Sequence, residues 1–401
     1  MGAAAADIPR TTARSAPRSI DDIARALREA REYTLGLYAH LTDAEREFPR
    51  LPTVNPALWE LGHLGWFQEF WCRRYRRDDP RGVTTSSRLR DADSFFDSGS
   101  VPHATRWDLR LPSLAGIHDY LAQTLDDTLS ALQRSDGAHR YFFELALYHE
   151  DMHGEALLMT LQSLGLPAPS NVSRKPALFD ESGDIAIPGG AIRLGSERND
   201  DERRFVFDNE KFAHDVDVPA FRIARRCVTD VEFAEFVEAG GYMTPGLWSN
   251  EGRAWLRSAQ RQAPAWWRRT SGGFEKRRFE RWLPLAADEP VEHVNAFEAE
   301  AWCAWAGRRL PSEAEWEKAA TSERLSGRGI AWEWTATPFA PYPGFVPDPY
   351  EAYSAPWFHD HRVLRGSSWA TPPRLAHSKF RNFYRPERHD PFAGLRSCAQ
   401  Y

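Results

Sequence analysis

Tyr148-His149-Glu150-Asp151-Met152-His153 decides how this chain is read, because it lies in a stretch, about Gly137 to Leu164, where Phe142, Leu145, Ala156, Leu157 and Leu161 recur at helical spacing. On a helix, His149 and His153 stand at i and i+4, so both side chains leave one face a turn apart. Roughly 6 Å between their Cβ atoms lets both imidazoles close on one metal ion. Leu145, Met152 and Ala156 turn the same face inward. A buried histidine pair with no partner would cost stability, which favours a ligand.

Three more helices precede this one. Ser19-Ile20-Asp21-Asp22 fits a capping-box start, followed by Ile23, Ala24, Leu27, Ala30, Tyr33, Leu37 and Leu41 at helical spacing. About Asn55 to Arg77 forms a second helix that is apolar around most of its circumference and therefore central. A third starts at Ser113 after Pro112, with Leu114, Ile117, Leu121, Leu125 and Leu132 on one face. Four amphipathic helices make a bundle. The central one carries Trp59-Glu60-Leu61-Gly62-His63-Leu64-Gly65-Trp66, in which His63 supplies a third nitrogen donor and Gly62 and Gly65 let another element approach closely. Three neutral imidazoles leave up to three open positions on an octahedral ion, enough for a thiol or selenol, an imidazole and dioxygen. That suits a non-haem Fe(II) oxygenase, and zinc fits the same donors. Glu150 and Asp151 fall on other faces and read as groups supporting the ligands or facing solvent. His103, His118, His139, His359 and His361 sit in polar or loop contexts.

Helical periodicity stops at Pro167, and Pro, Ser and Asp dominate to Pro188. Beyond, short strands are expected at 186–195 and 205–207, helices at Asp230 to Ala239 and Phe297 to Trp305, and a capping box Ser312-Glu313-Ala314-Glu315 opening a helix through Ala320. The final hundred residues read mostly as loop. The expected fold class is α+β multidomain: a lead-in over 1–18, a helical bundle over 19–166, a linker over 167–185, and a loop-rich domain over 186–401.

Composition narrows the function. With 401 residues, 51 Lys plus Arg against 57 Asp plus Glu gives a net charge of -6, which argues against a general nucleic-acid binder. No apolar run approaches the ~20 residues a membrane span needs, and the first residues lack the apolar core of a secretory signal, so a cytoplasmic protein is expected. Four cysteines stand far apart as reduced thiols. Most of the sixteen Trp fall between Trp255 and Trp369, in the second domain.

The motifs of both halves resemble the ergothioneine sulfoxide synthase family, which joins a DinB-like four-helix bundle to a C-type-lectin-like domain of the formylglycine-generating (sulfatase-modifying factor) type. The similarity is carried by the HxxxH pair with a separate His, and by Ala301 to Glu317, Trp332-Glu333-Trp334-Thr335, Tyr342-Pro343-Gly344-Phe345, Val363 to Trp369, Phe380-Arg381-Asn382-Phe383 and Phe392 to Arg396. It runs from about Ser19 onward.

The resemblance implies an Fe(II)- and O2-dependent enzyme that joins a chalcogen to C2 of the imidazole of hercynine, a trimethylated betaine. It makes His63, His149 and His153 the iron ligands and sets Arg381, Asn382, Phe383, Tyr384 and Met152 at the substrate pocket. Aromatic faces suit the trimethylammonium group, at ~0.5 to 2 kcal/mol per contact. A tyrosine often serves the family as proton donor, with Tyr384 and Tyr342 as candidates here. Relatives that take γ-glutamylcysteine show an Arg-x-x-Arg pair before the third helix. Here that loop reads Val101 to Arg110 with Arg106 and Arg110 only, and Tyr384 and Met152 stand where Asp and Gln are frequent. Losing charged groups favours a neutral sugar donor, as in the selenoneine synthase branch, which uses the selenosugar 1-seleno-glucose. The alternatives are a synthase using γ-glutamylcysteine or cysteine, and a non-catalytic metal and ligand binder. A formylglycine-generating oxidase would need a reactive cysteine pair after Gly366-Ser367-Ser368-Trp369, where this chain has no Cys until Cys398.

Overall fold

The computed structural model describes residues 18–76, 85–135, 140–170, 172, 182–197 and 204–401. Residues 1–17 of the expected lead-in and most of the expected linker (171 and 173–181) lie outside them, as do Gly137 and His139. The chain divides into two compact units, one within residues 15–173 together with 201–205, the other within 174–200 and 206–401.

The first unit is helical: α1 (Ile20–Ala39), α2 (Ala57–Glu69), a short α3 (Ala92–Phe96), α4 (Leu114–Gln133) and α5 (Arg140–Leu164). Two of these helices start on a side-chain cap. The Ser19 side chain accepts from the Asp22 backbone N–H while the Asp22 carboxylate accepts from that of Ser19, and Ser113 caps α4 through Gly116 N–H. α2 packs on α4 and α5, α1 on α5 and α4. Nearly every residue of α2 is buried, as its apolar circumference predicts. It continues as a π-helical turn, Phe70–Arg74. A Cβ at Gly62 would land in the Phe96 ring, and one at Gly65 would lie 2.9 Å from the Tyr120 ring, so the two glycines admit α3 and α4 as expected. The loop after α2, unassigned from sequence, supplies α3 and a 3-10 turn, His103–Asp108.

Among the described residues, the second unit holds four sheets. In spatial order they are β1 (Asp184–Ile187), β4 (Phe221–Ala224), β13 (Cys398–Ala399) and β8 (Arg308–Arg309); β11 (Asn382–Tyr384), β10 (Arg362–Arg365), β9 (Trp332–Pro338) and β12 (Ala393–Leu395); β2 (Gly190–Leu194) with β3 (His214–Val218); and β5 (Trp267–Thr270), β6 (Gly273–Arg278) and β7 (Arg281–Pro284). Helices α6 (Asp230–Glu238), α8 (Ala296–Trp305) and α9 (Glu313–Thr321) stand where helices were expected, α9 behind its capping box; α7 (Asn250–Ala259) was not expected. One expectation is corrected: residues 205–207 form no strand. The final hundred residues are mostly loop, as expected, and the loops frame a four-stranded sheet. Its strands are three to seven residues long and mostly buried on both faces, so they show little period-2 alternation.

Three buried ion pairs explain why charged residues recur in the motifs of this unit. On α9, Glu313 and Glu317 lie one turn apart; Glu313 receives Arg381 at 2.9 Å and Glu317 receives Arg365. On β9, Glu333 receives Arg396 through two 2.8 Å bonds and Trp316 Nε1–H at 2.6 Å. Each arginine flanks or ends a strand, so each pair ties a strand end to α9 or β9. Charges this deep persist only when paired and hydrogen-bonded.

Candidate metal centre

α5 presents His149 and His153 with ring centroids 4.4 Å apart, and α2 brings His63 to 5.1 Å from each. One nitrogen from each ring lies within 4.8 Å of the others, close enough to share a metal ion. His63 and His149 are buried and His153 half-buried. Trp59 stacks on His63 at 4.9 Å and 9°, and Phe67 stacks on His149 at 3.5 Å and 1°.

Hydrogen bonds settle which nitrogens face the shared space. His63 Nδ1 lies 2.8 Å from the Phe96 carbonyl, an acceptor only, so Nδ1–H donates and Nε2 carries the lone pair. His153 Nδ1 lies 2.7 Å from Glu60 Oε2. Burial works against a charge on Glu60, but His153, His63 and the Asn55 amide outweigh it and hold its carboxyl down at about 2. Of this pair the carboxylate oxygen accepts, so His153 Nδ1–H donates to it. Burial, then the neighbouring His153, push His63 down to about 3, and the same causes with His63 hold His149 well below the usual range. Three imidazole donors without a carboxylate among them fit a borderline dication such as Fe(II), Co(II) or Zn(II).

Other expectations resolve differently. Glu150 neither supports the histidines nor faces solvent: it is buried against Arg31 of α1. Met152 is half-buried beside His153 on α5. Asn382, Phe383 and Tyr384 form β11, at one edge of its sheet, and all are half-buried. Phe383 stacks on Phe339 at 4.0 Å, with Tyr353 and His361 at its edge, while Arg388 lies over the Tyr384 ring at 5.3 Å. Arg381 and Tyr342 face the interior. Arg381 is 1% exposed and donates to Glu313, Asn209 O and Ala340 O, stacking on the Tyr342 ring; the Tyr342 hydroxyl donates to Glu313 at 3.1 Å. Arg106 is buried, donating to Asn55 Oδ1 and Val101 O, whereas Arg110 is exposed. His118 and His359 are exposed as expected, and His103 is half-buried on Val54 O. The four thiols are free, and burial pushes each above the usual thiol range.

Sequence reasoning missed Glu60 and Asn55, and read Arg106 only as part of a loop where the Arg-x-x-Arg pair is not intact. The available signal was Glu60 itself, three residues before His63 and so on the same face of α2.

A helical bundle with a three-histidine centre, joined to a strand-rich unit, defines a DinB and sulfatase-modifying-factor architecture. The family model of the DinB superfamily matches residues 26–157, and that of the sulfatase-modifying factor enzyme 1-like domain matches 169–328 and 325–400. Hercynine oxygenase of Mycolicibacterium smegmatis is 33% identical over 94% of this chain and 98% of its own length; that of Mycobacterium tuberculosis is 35% identical over the same shares. Formylglycine-generating enzyme of Mycobacterium tuberculosis is 36% identical over 34% of this chain and 50% of its own. The chain belongs to the hercynine oxygenase family of oxygen-dependent oxidoreductases. Among the described residues, no helix is long and apolar enough to cross a membrane.

Proposed function

We propose that this chain is a cytoplasmic non-haem Fe(II)- and O2-dependent synthase that bonds selenium, carried by a selenosugar such as 1-seleno-glucose, to C2 of the hercynine imidazole. The observation that carries the reading is the cluster of His63, His149 and His153, two of them with Nδ1–H tied to an acceptor and Nε2 left bare. These three would hold the ion. Iron, when bound, supplies Lewis acidity that lowers the chalcogen's pKa, open positions for the reactants, and a redox partner for O2.

The chain's own contribution is binding and orientation. In this reading residues 19–166 carry the ion, 167–185 link, and 186–401 carry the hercynine wall. Phe383 and Tyr384 offer aromatic faces to the trimethylammonium group, and Asn382 offers a donor and an acceptor. Arg381 anchors β11 from inside rather than touching the substrate. Met152 gives the donor side a neutral surface next to His153. Tyr384 is the tyrosine retained as a proton-donor candidate.

The inward commitment of Arg106 favours a donor without carboxylates, because its guanidinium is held by Asn55, Val101 O and the Trp59 ring. Identity of 33% and 35% to hercynine oxygenases supports the second reading, in which γ-glutamylcysteine or cysteine supplies sulfur. Aerobic incubation of Fe(II)-loaded protein with hercynine and each donor, followed by mass spectrometry, separates them. Selenoglucose is expected to give a C2-selenated product. Product from a sulfur donor alone would overturn the choice of selenium, and no product from any donor would overturn the synthase reading.

A further inference from the structure

Behind the histidine cluster lies a second tier of polar side chains, Arg106 buried and Asn55 and Glu60 half-buried. Glu60 accepts from His153 Nδ1–H through Oε2, and through Oε1 from Asn55 Nδ2 at 2.6 Å. Asn55 Oδ1 in turn accepts from Arg106 Nη1 at 2.8 Å. The Arg106 guanidinium lies 3.7 Å over the Trp59 ring, and the other face of that contact chain is His63, on which Trp59 stacks. Trp59 Nε1–H is fixed on Phe95 O at 2.6 Å, next to the Phe96 carbonyl that orients His63. Arg106 is therefore the common root of two short chains, one ending on His153 and the other on His63.

We infer that Glu60 is a positioning residue of the metal centre, locking His153 in the Nδ1–H tautomer with Nε2 bare, and that Asn55 and Arg106 hold Glu60 in place. The inference rests on the metal-binding reading above. Two features carry it. A carboxylate holds an imidazole proton more firmly than a neutral acceptor does, which fixes ring orientation and strengthens the opposite nitrogen as a donor. Both carboxylate oxygens are also engaged, so the group cannot turn without breaking a bond to Asn55 or His153. Gln at this position fails chemically rather than sterically: its one oxygen can take only one of two donors, and its NH2 faces the other.

The test uses the full chain, metal-free and then titrated with Co(II) alone. Imidazole 15N shifts in the metal-free protein report the His153 tautomer without reference to activity. Wild type is expected to show a single Nδ1–H tautomer at His153. In Glu60→Gln and Glu60→Ala the tautomers should mix, and Co(II) affinity should fall about 10-fold to 100-fold with altered ligand-field bands. Asn55→Ala should give a smaller loss in the same direction. Glu60→Gln keeps the side-chain volume, so a melt matching wild type shows that the bundle is intact if Glu60→Ala unfolds. Unchanged tautomer and affinity in Glu60→Gln would overturn the inference. So would lost affinity with an unchanged tautomer, which would make Glu60 a packing residue. A wild type that binds no Co(II) would instead sink the metal reading, leaving the tautomer to judge Glu60.

Discussion

Arg31 and Glu150 form a two-bond ion pair inside the bundle, with Nε to Oε1 at 2.7 Å and Nη2 to Oε2 at 3.0 Å, and both side chains are buried. Arg31 also donates to Leu121 O and to Gln68 Oε1, so this one guanidinium ties α1 to α2, α4 and α5. Glu150 follows His149 in sequence but points to a different neighbour. Removing either partner strands a buried charge, so Arg31→Met or Glu150→Ala should lower stability by about 3–5 kcal/mol in urea unfolding. The double variant Arg31→Met/Glu150→Met should recover most of that loss. Single variants as stable as wild type would show that the pair contributes nothing.

The reading of helix faces from sequence was correct where one face is apolar and failed where both are used. His149 and His153 were legible because i, i+4 spacing alone puts them together. His63 was legible as a polar residue in an apolar helix. Glu60 was not singled out, since its partner is on another helix and periodicity within α2 says nothing about α5. Glu150 was misread for the opposite reason: a carboxylate next to a candidate ligand suggests support, yet its partner Arg31 is 119 residues away. In the second unit the capping box at Ser312 marked its helix faithfully because both of its bonds are local. The sheet of β9 to β12 was not legible because its strands are short and mostly buried on both faces, which leaves little period-2 alternation.

Gly62 and Gly154 both lie on ligand-bearing helices but should respond oppositely to Ala. At Gly62 the new methyl would enter the buried Phe96 ring, whose own backbone carbonyl orients His63. Gly62→Ala should cost about 1–3 kcal/mol and weaken Co(II) binding as Phe96 shifts. At Gly154 the nearest atom to the methyl is in the Tyr33 ring at 3.4 Å, an ordinary contact. There the better helix propensity of Ala should dominate, with a gain of up to about 1 kcal/mol and unchanged metal binding. Thermal melts and Co(II) titrations of the pair decide it; equal destabilisation by both would contradict the packing argument.

Glu298 gives a pH signature. Burial pushes its carboxyl up to about 7 despite bonds from the Tyr242 hydroxyl at 2.6 Å and the Asn295 backbone N–H at 2.8 Å. Below about pH 4.5 both folded and unfolded chains hold the proton, and the group adds no pH dependence. Between 4.5 and 7 the unfolded chain releases the proton first, so this group's contribution to stability falls as pH rises. Above 7 the deficit levels off at about 3 kcal/mol. Glu298→Gln removes that titration, so its stability relative to wild type should climb from pH 4.5 to 7 and then flatten. Urea unfolding of both proteins at pH 5, 6 and 7.5 measures the difference, and a constant difference would refute the assignment.

Tyr342 and Tyr384 were equivalent candidates for a proton donor, and their surroundings separate them. The Tyr342 hydroxyl sits in the core, donating to the same Glu313 that binds Arg381, with burial raising its pKa well above the phenol range. Its ring packs under the Arg381 guanidinium at 3.9 Å. Tyr342→Phe keeps the ring and that stacking and removes one hydrogen bond to a carboxylate still held by Arg381. It should therefore cost about 1 kcal/mol of stability and leave product formation from hercynine within about two-fold of wild type. Tyr384 lies on the half-buried edge strand β11, so Tyr384→Phe should lower turnover with little change in stability. Steady-state rates and melts of the two variants test this together. A ten-fold loss of turnover in Tyr342→Phe alone would return the proton-donor role to the core tyrosine.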